Sequence, residues 1–456
     1  MAEQVVLGLD IGTNRIKFVE ARMGRHGPLI TNAGMGLTPR DAISNGVIVD
    51  PNSLGAALRH LLDQYGIRTK GVVSSVASQS SLVVRPIEVP RMSRQELADT
   101  MQWEVERHIP FAASEVVMDF QPLIPPEDLP PEAQNMEVLL AVAQEDMINA
   151  HVDALFRAGL DPIALDVEPL AASRSLIDIN REAGAYDHVY ALLNVGAITT
   201  DLSIVRRGLL SFTRPVPLAG DNITNAIAEG LGYEFHEAER AKIEQAALYV
   251  QGAPALEAPR EPQIQAPPPS VAPSPTQPIF RVGDEDREAK AAPIFDIGDE
   301  APKPGPVFDL GAEPDKPQTF DLGADTGPGG PSGPQPPPRV SGLPVLHTPG
   351  AGTPGRQVYD AMLPTLVELV TEIRRSIEYY SNRYPDSRVD KVLVYGGTAC
   401  MPNFAEFLAG EVGTAVEVGN ALLRVEIDRG VSSEFIDQNG PYLPIVVGLA
   451  IRDMID

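Results

Sequence analysis

Two glycine-containing turns follow apolar, strand-like segments and carry the residue types that a polyphosphate site needs. The first turn reads Asp-Ile-Gly-Thr-Asn at 10–14, and the second reads Asn-Val-Gly-Ala-Ile-Thr-Thr at 194–200. Glycine lets backbone N–H groups approach a phosphate closely. Hydroxyls of Thr13 and of Thr199 or Thr200 would add donors, and Asp10, at a strand end, would hold a hydrated Mg²⁺. Either turn alone is also an ordinary hairpin signal.

Two later segments extend this pattern. Glu239 and Lys242 lie three residues apart on a predicted helix, where they share a face and would grip ribose hydroxyls. The same spacing also produces plain surface ion pairs, so both interpretations stay open. The third glycine turn, Gly-Gly-Thr-Ala at 396–399, stands between a predicted strand and a predicted helix.

The elements that must position these turns alternate between strands and helices. Apolar runs and alternation predict strands at 5–11, 16–21, 71–77, 82–89, 116–123, 138–143, 190–195, 202–205 and 391–395. Helical spacing predicts helices at 53–65, 93–108, 145–158, 222–229, 234–250, 359–380, 403–411 and 445–454. The pattern predicts an α/β fold in two halves, the second beginning near 161, with a small β-α-β-β-α insertion at 82–160.

Composition excludes several classes of protein. The formal charge of −26 opposes phosphate backbones, so nucleic-acid binding is not expected. A single cysteine, Cys400, excludes a disulfide framework and indicates a reducing cytoplasm. No apolar run approaches the roughly 18 residues of a membrane span, and the first residues do not resemble a leader. The sequence therefore predicts a cytoplasmic protein without direct membrane insertion.

A proline-rich segment interrupts the second half. Of the 44 prolines, 23 fall between 253 and 352, a composition that predicts a disordered insert. Within it, Phe-Asp-(Ile/Leu)-Gly recurs at 295, 308 and 320, with a degenerate copy at 280. These copies fit linear motifs for an unknown partner, or drift in low-complexity sequence. The insert is predicted to leave nucleotide binding intact.

The order of the three glycine turns and the Glu/Lys helix resembles the actin/Hsp70/sugar-kinase ATPase superfamily and, within it, the PilM family of type IV pilus assembly proteins. The resembling stretches are Gly-Leu-Asp-Ile-Gly-Thr-Asn-Arg-Ile-Lys at 8–17, Gln-Trp-Glu-Val-Glu-Arg-His-Ile-Pro-Phe at 102–111, 202–207 with 212–214, and 396–402. The resemblance covers roughly 1–250 and 356–456. It implies an actin-like (ribonuclease H-like) two-domain fold with core subdomain 1A at 1–81, inserted subdomain 1C at 82–160, a second-half core at 161–252, the insert at 253–355, and the remainder at 356–456.

The resemblance also implies ATP and Mg²⁺ as cofactors. It assigns to the cofactor Asp10, Gly12, Thr13, Asn14, Lys17, Asn194, Gly196, Ala197, Thr199, Gly220, Glu239, Lys242, Gly396, Gly397 and Thr398, with Asp10 also as the metal residue. Glu168 would correspond to the residue that orients the attacking water. Because Pro169 follows it, Glu168 is equally well placed as an acid at the start of a helix.

The partners that the resemblance implies lie at the inner membrane. The family docks the short cytoplasmic N-terminal segment of PilN in a groove between the first core subdomain and the inserted one, for which 85–120 is the expected region. Contacts with pilus motor ATPases and the platform protein are also known for the family. The protein is therefore expected to be cytoplasmic and peripheral at the inner membrane through these partners.

Two departures from the superfamily pattern bear on activity. Asn194 stands where an Asp is usual, and an amide brings no charge to Mg²⁺, so ATP is expected to be a structural or switching ligand with weak hydrolysis at most. Asn194 as a simple turn cap is the competing interpretation. Asp201, seven residues on, is not expected to substitute. Ala219 stands where a glycine is usual, and its methyl group is expected to restrict the loop's approach to nucleotide.

Three rival functions remain on sequence grounds. A metabolite kinase would need a catalytic base and a sugar cleft, and no convincing cluster is present. An FtsA-like cytoskeletal membrane tether would need an amphipathic helix after a linker, whereas the chain stops at Asp456 directly after an apolar helix. A scaffold with an inactive nucleotide site is supported only by Asn194.

Overall fold

The fold contains two large β-sheets of matching topology. The computed structural model describes residues 5–77, 81–180, 187–248 and 353–455. The strands of the first sheet, numbered in chain order, are β1 (Val5–Ile11), β2 (Arg15–Met23), β3 (Pro28–Leu37), β6 (Gly71–Val76), β10 (Asp161–Val167) and β16 (Glu426–Ile427). They lie in the order β10-β6-β1-β2-β3-β16.

The second sheet repeats this plan. Its strands are β11 (Val189–Val195), β12 (Thr200–Arg206), β13 (Leu209–Val216), β14 (Lys391–Tyr395) and β15 (Ala415–Val418), in the order β13-β12-β11-β14-β15. In each sheet the first strand pairs antiparallel with the next strand of the chain and parallel with a later one, β1 with β2 and β6, and β11 with β12 and β14. The first glycine turn therefore connects β1 to β2, and the second connects the equivalent strands of the other sheet, β11 and β12.

Two smaller sheets extend the first half. A two-residue hairpin joins β4 (Ile43–Ser44) to β5 (Val47–Ile48). A three-stranded antiparallel sheet contains β7 (Leu82–Pro90), β8 (Val116–Pro122) and β9 (Asn135–Gln144), in the order β7-β9-β8. With helix α2 (Arg94–His108), it forms the inserted subdomain, which has its own apolar cluster around Leu97, Met101 and Leu140.

The remaining helices are α1 (Pro51–Gln64), α3 (Glu145–Ala158), α4 (Glu168–Leu176), α5 (Gly220–Leu231), α6 (Phe235–Gln245), α7 (Pro354–Arg383), α8 (Phe404–Val412), α9 (Ser433–Asn439) and α10 (Pro444–Ala450). Helix α1 illustrates how the local sequence determines where a helix begins and which face it buries. The Asp50 carboxylate accepts the N–H groups of Asn52 and Ser53, and leucines of one face are buried. No helix in the described ranges is both long and apolar enough to cross a membrane.

The two sheets meet across helices α4 and α10. One apolar cluster there contains Val19 of the first sheet, Leu192 of the second sheet, and Val446 of α10, all fully buried. Helix α10 crosses α4 so closely that a Cβ on Gly448 would overlap the backbone of Ala171. The chain's last helix therefore packs between the halves and fixes the start of α4, where Glu168 lies.

The α/β fold predicted from the sequence is confirmed, with corrections to individual elements. The sequence assigns 161–167 to the second half, but β10 pairs in parallel with β6, so it belongs to the first sheet. Strands β3 and β13 were not predicted, and α7 starts at Pro354, inside the predicted insert. The rest of the insert, including all four Phe-containing motifs, lies outside the described residues.

Candidate functional site

Every residue that the sequence assigns to the cofactor, together with Glu168, lines one cleft of about 240 Å³. The cleft is bordered by the turns that follow β1, β11 and β14, by the first residues of α4 and α5, and by one side of α6. Segments separated by nearly 400 positions in the chain therefore converge, as the order of motifs predicts.

The two hairpin turns have the same backbone geometry. The N–H of Gly12 donates to the carbonyl of Arg15 at 3.0 Å, and the N–H of Gly196 donates to the carbonyl of Thr199 at 2.9 Å. In the first hairpin Asp10 lies opposite Lys17. In the second hairpin, the equivalent residues are Asn194 and Asp201.

The pair of the first hairpin is a buried ion pair. Lys17 Nζ lies 2.7 Å from Asp10 Oδ2, and Asp10 is only 2% exposed. Because a carboxylate buried this deeply is costly without a partner, the Lys17 ammonium offsets the cost of burying the Asp10 carboxylate.

The pair of the second hairpin carries no positive charge. Asn194 Nδ2 donates to Glu168 Oε2 at 3.2 Å, and burial raises the pKa of the Asp201 carboxyl to about 6. The expectation that Asp201 does not stand in for Asn194 stays a prediction. The register places Asp201 directly across the ladder from Asn194, and it lines the same cleft.

Glu168 is both the first residue of α4 and a cleft residue, so the two interpretations from sequence describe one location. Burial raises the pKa of its carboxyl well above the usual range, and the negative charges of Asp10 and Asp201 raise it further. The Glu168 carboxyl therefore has a higher pKa than an exposed glutamate, and its Oε2 accepts a hydrogen bond from Asn194 Nδ2.

Glu239 and Lys242 form an ion pair of 2.7 Å at the wall of the cleft. Lys242 Nζ also donates to the carbonyl of Gly220 at 3.0 Å and to Thr224 Oγ1 at 2.7 Å. The pair therefore ties α6 to the start of α5 beside the cleft, and ribose contact by Glu239 and Lys242 stays a prediction.

Gly396 occupies a position that only glycine fits. Its φ is +94°, and a Cβ there would lie 2.6 Å from the carbonyl oxygen of Val195 and 2.7 Å from Asn194 Oδ1. Its N–H donates to the carbonyl of Pro441 at 2.8 Å. The third glycine turn is thus pressed against the second one.

The packing corrects the expectation about Ala219 and decides between Thr199 and Thr200. The Ala219 side chain is fully buried and does not line the cleft, whereas Gly220 and Asp221 do, so its methyl group does not narrow the loop's approach. Thr200 is also fully buried and donates to the carbonyl of Leu218 at 2.7 Å. Of the two threonines, Thr199 is therefore the one at the cleft.

Sequence reasoning missed several lining residues. They include Arg15, Asp201, Asp221, Tyr395 and Tyr442. The Arg15 guanidinium lies 5.7 Å from the centre of the Tyr442 ring, joining the first turn to the segment after α9. Counting outward from the glycine turn would have paired Asp201 with Asn194, but Tyr442 has no local sequence signal.

The carboxylates that line the cleft fit the few protein ligands of a hydrated Mg²⁺. Within the described residues, no three His, Cys, Asp or Glu side chains come together in a metal-binding geometry. Mg²⁺ usually keeps several waters and binds through one or two carboxylates plus substrate phosphates. Asp10 and Asp201 line the cleft with two carboxylates of this kind.

Two family profiles match the chain. The profile of "Type IV pilus assembly protein PilM" matches residues 8–248, and that of "Cell division protein FtsA" matches residues 191–435. FtsA of Pseudomonas aeruginosa strain PAO1 is 25% identical over 290 residues, which cover 58% of this chain and 67% of that protein. FtsA of Escherichia coli K12 is 24% identical over 258 residues, covering 53% and 60%, so the chain spans about two thirds or less of these relatives.

Among solved structures, the "PilM-PilN type IV pilus biogenesis complex" is similar across the chain. Its TM-score is 0.68, with 24% identity and 98% coverage of both chains, which supports the fold. The actin-like fold predicted from the sequence is thereby confirmed. Since the PilM profile matches more than half of the 456 residues, the chain belongs to the family of type IV pilus assembly protein PilM.

Proposed function

We propose that this protein is a type IV pilus assembly component whose cleft binds ATP with Mg²⁺ as a structural or switching ligand. The observation that supports this most is the convergence of three glycine turns and the Glu239–Lys242 pair on one cleft. A divalent cation bound together with a polyphosphate would balance the acidic side chains of Asp10, Glu168 and Asp201. Glu239 and Lys242 would face the ribose.

Slow or absent hydrolysis is part of the proposal. In phosphoryl transfer to water, a side chain must orient the nucleophile and accept its proton. Glu168 is the candidate, but its Oε2 accepts a hydrogen bond from Asn194, and burial raises the pKa of its carboxyl above the usual range. Bound Mg²⁺ would lower that pKa, while the amide of Asn194 would add no charge to assist.

We also propose that the inserted subdomain docks a short extended segment of a PilN-like inner-membrane protein, and thereby links it to pilus motor ATPases and the platform protein. One of the similar solved structures is a complex of PilM with PilN. In this chain the Trp103 side chain on α2 is 72% exposed, which is unusual for so large an apolar group. The protein would act peripherally at the inner membrane through that partner.

The nucleotide proposal is tested by titrating a fluorescent ATP analogue into the full chain, with and without Mg²⁺, in the wild type and in Asp10→Ala. Asp119→Ala, which removes an exposed carboxylate on β8, is the matched control. Mg²⁺-dependent binding that Asp10→Ala loses and Asp119→Ala keeps is expected. No binding to the wild type would contradict the proposal and favour a scaffold with an inactive nucleotide site.

A membrane tether is the second candidate function, favoured by the FtsA profile over residues 191–435. Sedimentation with vesicles of phosphatidylglycerol and phosphatidylethanolamine separates the two. The pilus proposal predicts that the protein stays in the supernatant unless the vesicles carry a PilN-like segment. Pelleting with bare vesicles would favour the tether.

A further inference from the structure

A cluster of three side chains joins the inserted subdomain to the second half, far from the cleft. Tyr384, at the end of α7, donates its hydroxyl to Glu137 Oε1 of β9 at 3.1 Å. The Arg206 guanidinium, at the end of β12, lies 3.8 Å from Glu137 Oε2 and 4.7 Å from the centre of the Tyr384 ring. We name Glu137, Arg206 and Tyr384 the β9 latch.

Other contacts support the β9 latch. Thr213 of β13 donates its hydroxyl to the carbonyl of Val84 in β7. Val84 and Leu139 of the inserted sheet also pack against the apolar cluster between the two halves. The inserted subdomain, which the chain connects to the first half, therefore has a mixed polar and apolar contact with the second half.

One structural element carries both the cleft and the β9 latch. The hairpin β11–β12 places Asn194 and Asp201 at its cleft end, and Val189 pairs with Arg206 at its other end. The five residue steps between Asp201 and Arg206 span roughly 17 Å at the usual rise of a strand. All seven pairs of this ladder are in continuous register, so we expect a shift of the turn to be carried along the hairpin to Arg206.

We propose that the β9 latch transmits occupancy of the cleft to the inserted subdomain, an inference that rests on nucleotide binding as proposed above. A ligand that draws the turn 194–200 toward the first half would shift Arg206 relative to Glu137. Since α4 and α10 act as the contact between the sheets, such a shift tilts the second half about them. By linkage, if nucleotide changes the affinity of the inserted subdomain for a partner by some factor, that partner changes the affinity for nucleotide by the same factor.

The test is amide hydrogen exchange of the full chain with and without a saturating non-hydrolysable ATP analogue and Mg²⁺. Glu137→Ala removes the two contacts that Glu137 makes in the β9 latch, with Tyr384 and with Arg206. The matched control is Glu88→Ala, which removes the carboxylate directly opposite Glu137 on β7, where it accepts a hydrogen bond from Asn135. Fluorescent-nucleotide affinity is measured for all three proteins, because the β9 latch lies outside the cleft and affinity should change by less than about tenfold.

Nucleotide is expected to change exchange rates in 82–90 and 135–144 by roughly 2- to 30-fold in the wild type and in Glu88→Ala, and by less than about twofold in Glu137→Ala. An equal response in Glu137→Ala would overturn the inference, as would a wild type that binds nucleotide without any change in these strands. A wild type that does not bind nucleotide would contradict the proposed function and this inference together.

Discussion

The first and second hairpins of the cleft share a backbone and differ in charge. In both, a glycine N–H closes the turn onto the carbonyl three residues later, at 3.0 Å and 2.9 Å. In the first, the facing pair is Asp10 with Lys17, a buried ion pair. In the second it is Asn194 with Asp201, where no cation compensates and burial raises the pKa of Asp201 to about 6.

The comparison shows that the turn geometry and the chemistry of the site are set separately. Glycine position and strand register fix where the facing pair points. The identity of the two facing side chains then decides whether a carboxylate is neutralised within the protein or left to meet a ligand's cation. In this protein the acid of the second hairpin lies at 201 rather than at 194.

The largest expected effect comes from breaking the ion pair of the first hairpin. Lys17→Met would leave the Asp10 carboxylate buried without its cation, so the free energy of unfolding at pH 7 should fall by about 3–5 kcal/mol. Urea titration measures it. The double variant Asp10→Asn with Lys17→Met removes both charges and should recover most of the loss. A cost below about 1 kcal/mol for Lys17→Met would mean that the two hairpins do not differ as described.

The matching change in the second hairpin should have the opposite sign. Asp201 has a folded-state pKa of about 6, above the usual 3.8, so the folded chain holds this proton more tightly than the unfolded chain does. Its carboxylate therefore lowers stability fully above pH 6, and the penalty disappears as the pH falls toward 4. Asp201→Asn should raise the free energy of unfolding of the ligand-free protein at pH 7 by up to about 3 kcal/mol.

The pH series supplies the control for Asp201→Asn. At pH 4 the wild type and the variant should have nearly the same stability, because the Asp201 carboxyl is then protonated in the folded protein. A gain that persists unchanged at pH 4, or a loss of stability at pH 7, would contradict an uncompensated carboxylate at 201.

Making the second hairpin more like the first should raise turnover. Asn194→Asp removes the amide that donates to Glu168 and adds a charge that would hold a hydrated Mg²⁺, so steady-state ATP hydrolysis should rise by about tenfold or more. Asn194→Ala, which frees Glu168 without adding charge, is the control and should give a smaller gain. Brisk hydrolysis by the wild type, with no change in Asn194→Asp, would sink the proposal of a switching ligand.

The smallest effect tests the shared backbone. A Cβ on Gly12 would lie 3.0 Å from the carbonyl oxygen of Arg15, and one on Gly196 would lie 3.1 Å from that of Thr199. Gly12→Ala and Gly196→Ala should therefore each cost about 1 kcal/mol of stability and differ little from one another. A large difference in their thermal midpoints would show that the two turns are not equivalent.

Much of this site was readable from sequence because glycine turns after apolar strands are local signals. The turns at 12, 196 and 396 and the strand Val5–Ile11 were predicted from these signals, and the helix Glu145–Ala158 was predicted from the helical spacing of its apolar residues. Strand β3 was missed because Asn32, Gly34 and Gly36 interrupt its apolar pattern. The place of β10 in the first sheet depends on a pairing with β6, some 90 residues away, which no local pattern encodes.

Asp201 was not predicted as a cleft residue for a different reason. Its place across the turn was expected, but only the register shows that it lies directly opposite Asn194. The ion pair of Glu239 with Lys242 was predicted as one of two outcomes, and its burial against Gly220 and Thr224 needed the packing of α5 on α6.

The central claim is that Asp201 supplies the second hairpin's charge to a Mg²⁺-bound nucleotide. The direct measurement is calorimetric titration of ATP into the wild type and Asp201→Asn at pH 7, in Mg²⁺ and in EDTA. Mg²⁺ should raise the affinity of the wild type by about tenfold or more and that of Asp201→Asn by less than about threefold. Equal enhancement by Mg²⁺ in both proteins would contradict the claim.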